Sequence, residues 1–247
     1  MRFAVIGCPI SHSLSPEVYA PLFEKHWIDA DFIRMLVVPS ELPRVRGLTA
    51  GLSGFAVTMP HKRSIIPYLD RLSDAASACG AVNIVERRGE ELIGHNTDGG
   101  GLADALEGAG VEIRGSRVLI FGRGGAALAA AHALKERGAG VSLIVRGPDG
   151  RTGFDEIPAE PAGKPDIKAD IFINATPLGM KAAGEFTRFD ILDAAAPKAV
   201  FDMVYSPNGV TALIGESRRR GLVAIDGSAM LRAQALRAFE IWFGFAP

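Results

Sequence analysis

The glycine-rich segment that begins at Gly122 constrains the fold more than any other feature of this sequence. It reads GRGGAA at positions 122–127, follows the apolar run Val118–Phe121 and opens the alanine-rich run Ala126–Arg137. A strand, a G-x-G-x-x-A turn and a helix in this order form the phosphate-binding unit of dinucleotide-binding sheets. Gly122 allows the tight turn, and Gly124 lets the backbone approach a pyrophosphate. The segment therefore predicts a dinucleotide site, and the alternative is a tight turn without a ligand.

The apolar runs around this segment predict an α/β fold with a doubly wound, Rossmann-type parallel sheet. Continuous apolar strands with helices between them are typical of a parallel sheet that is covered on both faces. Residues 147–168 are rich in Gly, Pro and Asp, and we predict mainly loop there. The predicted strands are Val118–Gly122, Val141–Val145, Asp170–Asn174, Ala199–Met203 and Val223–Asp226.

The first hundred residues predict a separate, mixed α/β unit with an antiparallel hairpin. A final amphipathic helix, Ser228–Gly244, is expected to pack on this unit, with Met230, Leu231, Leu236, Phe239 and Phe243 available for a core. We expect two domains: residues 1–97 with 227–247, and a dinucleotide-binding domain of residues 98–226. The predicted elements of the first unit are strands Phe3–Gly7, Asp31–Val38 and Phe55–Thr58, helices Ser15–His26 and Lys62–Leu69, and hairpin strands Ala81–Glu86 and Glu91–Asn96.

Charge and composition exclude several classes of partner. Lys and Arg number 27 against 28 Asp and Glu, for a formal net charge of -1, so nothing indicates binding to nucleic acid or to an anionic membrane surface. No apolar stretch approaches the roughly 20 residues that span a bilayer, and no signal peptide is indicated. Cys8 and Cys79 show no metal or redox spacing. We expect a cytoplasmic protein.

The end of the second strand after the glycine loop bears on which dinucleotide binds. An NAD site usually places Asp or Glu about twenty residues after the loop, where it holds the ribose 2′-hydroxyl. This strand ends in LIVRG at positions 143–147, which contains no acid, and Arg146 can pair with a 2′-phosphate. The pattern favours NADP, with NAD as the alternative. The other interpretation of Arg146 is a solvated loop cation.

Three polar segments follow predicted strands and carry candidate catalytic groups. They read SHSLSP at 11–16, VTMPHK at 57–62 and GHNTDG at 94–99. Hydride transfer to a ketone needs a proton donor or a positive charge beside the developing alkoxide. Lys62 is the best donor available, and Asp98 is placed to hold its ammonium group; alternatively, each is a solvated residue at a helix start. His12, His61 and His95 lack metal-ligand spacing, so we predict no metal site and expect them in loops or at a pocket edge.

These segments resemble the ordered motifs of the shikimate dehydrogenase family over nearly the whole chain. Eight motifs match in order, which makes coincidence negligible. They are SLSP at 13–16, VTMPHK at 57–62, GAVN at 80–83, NTDG at 96–99, GRGGA at 122–126, NATPLGM at 174–180, DMVY at 202–205 and the segment 227–234, which includes Met230, Leu231 and Gln234.

The resemblance implies an NADP-linked oxidoreductase that reversibly reduces 3-dehydroshikimate to shikimate, in aromatic amino acid biosynthesis. Lys62 would donate the proton, with Asp98 as its partner. Residues that would hold the substrate's carboxylate and hydroxyls are Ser13, Ser15, Thr58, Asn83, Asp98, Tyr205 and Gln234. Residues that would bind the cofactor are Gly122, Gly124, Gly125, Ala126, Arg146, Asn174, Thr176, Met203, Gly227 and Met230.

The sequence departs from the family pattern at positions that bear on specificity. Many members carry Asn where Ala56 stands, and many continue the second cofactor strand as N-R-T followed by another basic residue, where this chain has Val145-Arg146-Gly147. Arg123 occupies a loop position that is usually small. These differences leave open a quinate/shikimate dehydrogenase that uses NADP or NAD, and a non-catalytic protein that senses a pathway metabolite. The expected partner is a small polar hydroxy acid, and the expected state a monomer or a homodimer.

Overall fold

Two separate sheets of six strands each organise the chain. The computed structural model describes residues 1–146, 152–155, 167–180, 183–206 and 210–247, without the side chains of residues 145, 146 and 152–155. The chain divides into unit 1, which comprises Met1–Gly101 and Leu231–Pro247, and unit 2, which comprises Leu102–Met230. Among the described helices, none combines the length and apolar character needed to cross a bilayer.

The sheet of unit 1 is mixed, as the sequence predicts. Its strand order is β2-β1-β3-β5-β6-β4; β1 runs parallel to β2 and β3, and β5 lies antiparallel to β3 and pairs with β6 as a hairpin. A short parallel pairing adds β4 to the edge beside β6. The strands are β1 (Arg2–Gly7), β2 (Asp31–Leu36), β3 (Gly54–Val57), β4 (Arg71–Leu72), β5 (Ile84–Arg88) and β6 (Glu91–His95).

Nine helices connect the described strands. Two 3-10 turns, Pro39–Arg44 and Ile66–Tyr68, supplement them. The helices are α1 (Ser15–Lys25), α2 (Val45–Leu48), α3 (His61–Ser64), α4 (Asp74–Cys79), α5 (Asp98–Gly108), α6 (Gly125–Glu136), α7 (Phe189–Ala195), α8 (Ala212–Arg219) and α9 (Gly227–Phe243).

Two predictions about helices in unit 1 are wrong. The single helix predicted over Lys62–Leu69 is split into α3 and a 3-10 turn, because Pro67 lacks the amide donor that a continuous helix needs. Leu236 was expected in the core but is 43% exposed. The buried face of α9 carries Ala235, Ala238 and Phe239, and the 3.6-residue period turns Leu236 away from that face.

The sheet of unit 2 confirms the predicted doubly wound parallel domain. Its order is β12-β11-β10-β7-β8-β9, and every pairing is parallel except that of β8 with β9. Successive side chains of β7 enter different hydrophobic clusters, on the two faces of the sheet. Val118 and Ile120 belong to one cluster, and Leu119 and Phe121 belong to another. The strands are β7 (Arg117–Phe121), β8 (Gly140–Arg146), β9 (Thr152–Asp155), β10 (Ile171–Asn174), β11 (Ala199–Asp202) and β12 (Val223–Asp226).

The strand β9 corrects the prediction of mainly loop over residues 147–168. Its backbone returns along β8 in antiparallel register, with Arg146 opposite Thr152. The pairing covers the outer edge of β8, whose amide and carbonyl groups would otherwise lack partners in the sheet. Residues 147–151 and 156–166 of the same segment lie outside the described residues.

The hydroxyl group of Tyr19 is a local defect in the core of unit 1. The ring is fully buried and stacks on Phe32 with ring centroids 4.3 Å apart. The hydroxyl has no hydrogen-bond partner among the described residues. Burial, and secondarily the negative charge of Asp98, raise the pKa of the Tyr19 phenol. The phenol therefore stays neutral, and its hydroxyl carries a desolvation cost.

We expect Tyr19→Phe to raise the free energy of unfolding by about 1–2 kcal/mol, because it removes a buried, unpaired hydroxyl and keeps the stacked ring. Urea unfolding of the variant and the parent protein measures this difference. Tyr68→Phe, at a half-buried tyrosine of the same unit, is the control. A loss of stability in Tyr19→Phe would mean that the hydroxyl has a partner such as a buried water, contrary to the prediction.

Candidate active site

Lys62 and Asp98 form a close ion pair in unit 1. Lys62 lies in the first turn of α3, and Asp98 is the first residue of α5. The Lys62 Nζ atom lies 2.5 Å from Asp98 Oδ2, and the two side chains are 22% and 6% exposed. The carboxylate is therefore nearly enclosed, whereas the ammonium retains access to solvent. This is the arrangement expected of a proton donor that a fixed acid holds in place.

Asn83 fixes the other oxygen of the same carboxylate. Its Nδ2 atom donates to Asp98 Oδ1 at 2.9 Å, and its own Oδ1 accepts from the backbone N–H of Thr97 at 2.8 Å. Asn83 Nδ2 also lies 2.9 Å from Thr97 Oγ1 and 3.3 Å from Gln234 Oε1. The network joins three sequence-predicted residues, Asn83, Asp98 and Gln234, and adds Thr97, which was not singled out. The sequence feature that could have indicated Thr97 is its place in the NTDG motif, directly before Asp98.

Backbone hydrogen bonds bring the two halves of this network together. The Val57 N–H donates to the Asn83 carbonyl at 2.7 Å, and the Val82 N–H donates to the Lys62 carbonyl at 2.7 Å. The segment that carries the lysine is thereby bound to the segment that enters β5. As a result, backbone hydrogen bonds couple the positions of Lys62 and Asn83, in addition to the side-chain link through Asp98.

The predicted substrate residue Thr58 follows β3 and lies against the end of β1. Its N–H donates to the Ile6 carbonyl at 2.9 Å. A Cβ atom on Gly7 would lie 2.5 Å from Thr58 Cγ2 and 2.9 Å from the Met59 carbonyl oxygen. Gly7 therefore lets the two strand ends approach closely, and Thr58 remains half-buried at this edge.

The two predicted serines contact each other and form a second polar group in unit 1. Ser13 Oγ donates to Ser15 Oγ at 3.2 Å, and both residues are buried. Arg34, which sequence reasoning missed, donates from Nε to the Ser13 carbonyl at 2.7 Å and also pairs with Glu17. Arg34 thereby connects the segment Ser13–Ser15, the serine turn, to the first turn of α1. No sequence motif marked Arg34, which lies in a strand next to the serine turn.

The three histidines of the polar segments have different surroundings. His61 is fully buried, contrary to the expectation of a loop or pocket edge, and its Nε2 atom lies 2.6 Å from the Val37 carbonyl oxygen. Its position as the first residue of α3 points the ring into unit 1. His95 lies 3.0 Å from Glu86, and burial lowers the pKa of its imidazole. His12 is exposed.

The glycine loop of unit 2 has the backbone geometry that a pyrophosphate requires. Gly122 has φ +129°, and a Cβ atom there would lie 2.8 Å from the Ala175 carbonyl oxygen. Gly124 is the N-cap of α6 and has open space where a Cβ would stand. The first turn of α6, with Gly125 and Ala126, therefore presents its N–H groups to an approaching anion. The residues fit the dinucleotide that the sequence predicts.

A buried polar network holds the loops after β10 and β11. Asn174 is fully buried; its Nδ2 atom donates to the Leu178 carbonyl at 2.9 Å and to Asp202 Oδ1 at 2.8 Å. Its Oδ1 atom accepts from Thr176 N at 3.1 Å and from Thr176 Oγ1 at 2.7 Å. Protein atoms thus engage both ends of the Asn174 amide. Sequence reasoning missed Asp202, although an acid at the end of an apolar strand was the available signal.

The remaining predicted cofactor residues lie near this network or in the core of unit 2. A Cβ atom on Gly227 would lie 2.3 Å from the Met203 carbonyl oxygen, so only glycine fits at the start of α9. Met203 is half-buried, as is the predicted substrate residue Tyr205, and Met230 is packed in a hydrophobic core. Arg146 ends β8, and its side chain lies outside the described part of the chain.

Asp202 is the titratable centre of the unit 2 network. Its carboxylate accepts from the Val204 N–H at 3.1 Å and from Thr211 Oγ1 at 2.7 Å, besides Asn174. Burial raises the pKa of Asp202 from 3.8 to about 6, although these hydrogen bonds oppose the shift. Between these values the folded state holds more protons than the unfolded state. The contribution of Asp202 to folding stability is therefore lost as pH rises through about 6.

We expect Asp202→Asn to flatten the dependence of unfolding free energy on pH between 4 and 7, because the amide does not ionise. Relative to the parent protein, the variant should become more stable as pH rises over this range. Urea unfolding at several pH values measures the two slopes. Asp193→Asn, at an exposed aspartate of the same unit, serves as the control. Equal slopes in Asp202→Asn and the parent protein would contradict the assignment.

Comparison with known proteins identifies the family of this chain. Residues 5–85 match the family model of the shikimate dehydrogenase substrate binding domain. The chain is 39% identical over 262 aligned positions to the shikimate dehydrogenase (NADP(+)) of Geobacter metallireducens, covering 98% of this chain and 91% of that protein. It is 40% identical over 259 positions to the same-named protein of Rubrobacter xylanophilus, covering 98% and 90%.

Solved structures agree with the sequence relatives. The fold is similar to that of shikimate 5-dehydrogenase from Thermus thermophilus in complex with NADP(H) and shikimate, with a TM-score of 0.86 and 30% identity. The alignment covers 100% of this chain and 95% of that one. The resemblance seen in the eight motifs is thus confirmed over the full length, and the protein belongs to the shikimate dehydrogenase family.

Proposed function

We propose that this protein catalyses the reversible NADP-linked reduction of 3-dehydroshikimate to shikimate. The observation that carries the proposal is the ammonium of Lys62 at 2.5 Å from the enclosed carboxylate of Asp98. Relatives that carry the name shikimate dehydrogenase (NADP(+)) at 39% and 40% identity support the choice of substrate and cofactor.

In this proposal, Lys62 moves the proton of the reaction. When bound, NADPH would supply the hydride, and negative charge would then develop on the substrate's carbonyl oxygen. The ammonium of Lys62 stabilises this charge and donates a proton from Nζ to the oxygen. Asp98 Oδ2 holds the ammonium, while Asn83 holds Asp98 Oδ1, so the carboxylate keeps one orientation. In the reverse direction the lysine amine accepts the proton from the substrate hydroxyl.

The remaining polar groups of the site suit a small polyol acid. Hydroxyl and amide groups form hydrogen bonds with carboxylate and ring hydroxyls, whereas an apolar ligand would leave them unpaired at about 1–3 kcal/mol each. We assign substrate binding to polar side chains of unit 1, and we include Tyr205 because of its place in the DMVY motif. The assigned residues are Ser13, Ser15, Thr58, Asn83, Asp98, Gln234 and Tyr205.

We assign NADP to unit 2, where the backbone of Gly122, Gly124 and the first turn of α6 would hold the pyrophosphate and Arg146 the 2′-phosphate. Thr176 and Met203 would face the nicotinamide. Because protein atoms engage both ends of its amide, Asn174 acts by positioning Thr176 and does not itself contact the ring. Gly227 acts through close packing against Met203.

Several finer properties belong to the same proposal. Quinate, which differs from shikimate by an added hydroxyl on a saturated ring, is the alternative substrate, and NAD the alternative cofactor. A cytoplasmic location accords with Cys8 and Cys79, both of which are free thiols. We propose a monomer or a homodimer. The intact ion pair of Lys62 with Asp98 favours an enzyme over a metabolite sensor, which needs no proton donor.

We expect Lys62→Ala to lower kcat by at least about 100-fold, because the developing alkoxide loses its proton donor. Shikimate affinity, measured by calorimetry, should stay within about threefold, since the other hydrogen-bonding groups remain. Arg63→Ala removes a neighbouring exposed cation and is the matched control. Added primary amines should partly restore the rate of Lys62→Ala. A folded Lys62→Ala protein that turns over normally would remove Lys62 from the mechanism.

Initial rates with shikimate and with quinate, each with NADP and with NAD, test the substrate and cofactor together. We expect the highest kcat/KM for shikimate with NADP. A preference for quinate would identify the quinate/shikimate dehydrogenase. Absence of turnover in all four mixtures, with a folded protein that binds shikimate, would favour the metabolite sensor.

A further inference from the structure

Asn96 opens the NTDG motif, whose next two residues, Thr97 and Asp98, belong to the polar network of unit 1. It directly follows β6 and is half-buried. Backbone groups engage both ends of its side-chain amide: Oδ1 accepts from the Asp98 N–H at 3.1 Å, and Nδ2 donates to the Ala81 carbonyl at 2.9 Å. Asn96 therefore connects the start of α5 to the segment that joins α4 to β5.

The peptide group between Ala81 and Val82 extends this connection to the lysine. Its carbonyl accepts from Asn96, and its N–H donates to the Lys62 carbonyl at 2.7 Å. Both residues of the peptide group are fully buried, so water does not replace either partner. Cys79 Sγ also lies 3.4 Å from the same carbonyl oxygen, but a thiol is a weak donor. Three hydrogen bonds in series thus link the two backbones that carry the ion pair.

These bonds act on a different part of Asp98 from the side-chain contacts. Lys62 and Asn83 hold the two carboxylate oxygens, whereas Asn96 holds the backbone N–H. Only one carbon separates the backbone of an aspartate from its carboxyl group, so the carboxylate follows the position of the backbone. Proton transfer needs its partners within hydrogen-bond reach, and a displacement of about 1 Å costs about 100-fold in rate. The reaction therefore depends on where this backbone is held.

We propose that Asn96 is a positioning residue for proton transfer, because its amide sets the separation of the backbones that carry Lys62 and Asp98. The inference rests on the proposed role of Lys62 as the proton donor. Since backbone groups engage both ends of its amide, Asn96 acts through the ion pair. Its loss should therefore lower kcat and leave the affinity for shikimate nearly unchanged.

The competing role for Asn96 is local, as an Asx turn that only begins α5. Asparagine commonly bonds to a backbone N–H two residues ahead, and serine does the same more weakly. The short hydroxyl of Asn96→Ser can keep the contact with the Asp98 N–H, but it does not span from there to the Ala81 carbonyl. A purely local role predicts that this variant resembles the parent protein, whereas the proposal predicts that it resembles Asn96→Ala.

Steady-state kinetics with shikimate and NADP, together with calorimetric titration of shikimate, test the proposal. The variants are Asn96→Ala and Asn96→Ser, with Asn96→Ala also made in the Lys62→Ala background. Ser73→Ala is the matched control: Ser73 Oγ accepts from the Ala76 N–H at 3.3 Å at the start of α4, so a similar bond is lost in the same unit. Thermal unfolding sets a temperature at which every variant is folded.

We expect Asn96→Ala and Asn96→Ser to lower kcat by about tenfold or more, with shikimate affinity within about threefold. Ser73→Ala should keep kcat within about twofold. In the Lys62→Ala background, Asn96→Ala should change the residual rate by less than about twofold, because residues that act as a unit are not additive.

A kcat near that of the parent protein in either Asn96 variant would overturn the positioning role. An equal loss of rate with and without Lys62 would also overturn it, because Asn96 would then act independently of the ion pair. A parent protein without turnover, or a Lys62→Ala variant that turns over normally, would instead overturn the proposed function, which makes the two failures distinguishable.

Discussion

The buried carboxylate of Asp98 is the constraint around which unit 1 is organised. A charge removed from water is tolerated only with partners for both of its oxygens. Here Lys62 provides one partner and Asn83 the other. The backbone N–H of Thr97 then holds Asn83, so the approach to β5 and the start of α5 keep one relative position. The same contacts that satisfy the buried charge also give the carboxylate the fixed orientation that the proposed proton transfer requires.

Unit 2 positions its loops in another way, through close backbone approach and a buried hydrogen-bond network. Gly122 and Gly227 each stand where a Cβ atom would meet a carbonyl oxygen, at 2.8 Å and 2.3 Å. The Asp202 carboxylate accepts hydrogen bonds from three donors, yet burial still raises its pKa to about 6. The strand ends are thus fixed by buried groups, and exposed loop atoms are left available to a ligand.

The sequence predicted what depends on local pattern. Apolar runs located the strands within a few residues, and the glycine loop indicated the parallel sheet around β7. Two errors are local, at Pro67 and at Leu236, and the others involve long-range contacts. The burial of His61 depends on the Val37 carbonyl, 24 positions earlier, and the role of Asp202 on Asn174, 28 positions earlier. Arg34 reaches the serine turn from another strand. Motif matching places Asn174 among the cofactor residues, and only the structure shows that protein atoms engage both ends of its amide.

The tether formed by Arg34 has a consequence for how substrate preference can diverge. One guanidinium contacts both the Ser13 carbonyl and the Glu17 carboxylate, so the serine turn and the beginning of α1 move as a single body. Arg34 itself belongs to β2, the edge strand of the sheet. Substitutions on that outer edge can therefore change the orientation of Ser13 and Ser15 together. If the two serines bind substrate as proposed, the preference for ring hydroxyls can change while the ion pair of Lys62 with Asp98 stays intact.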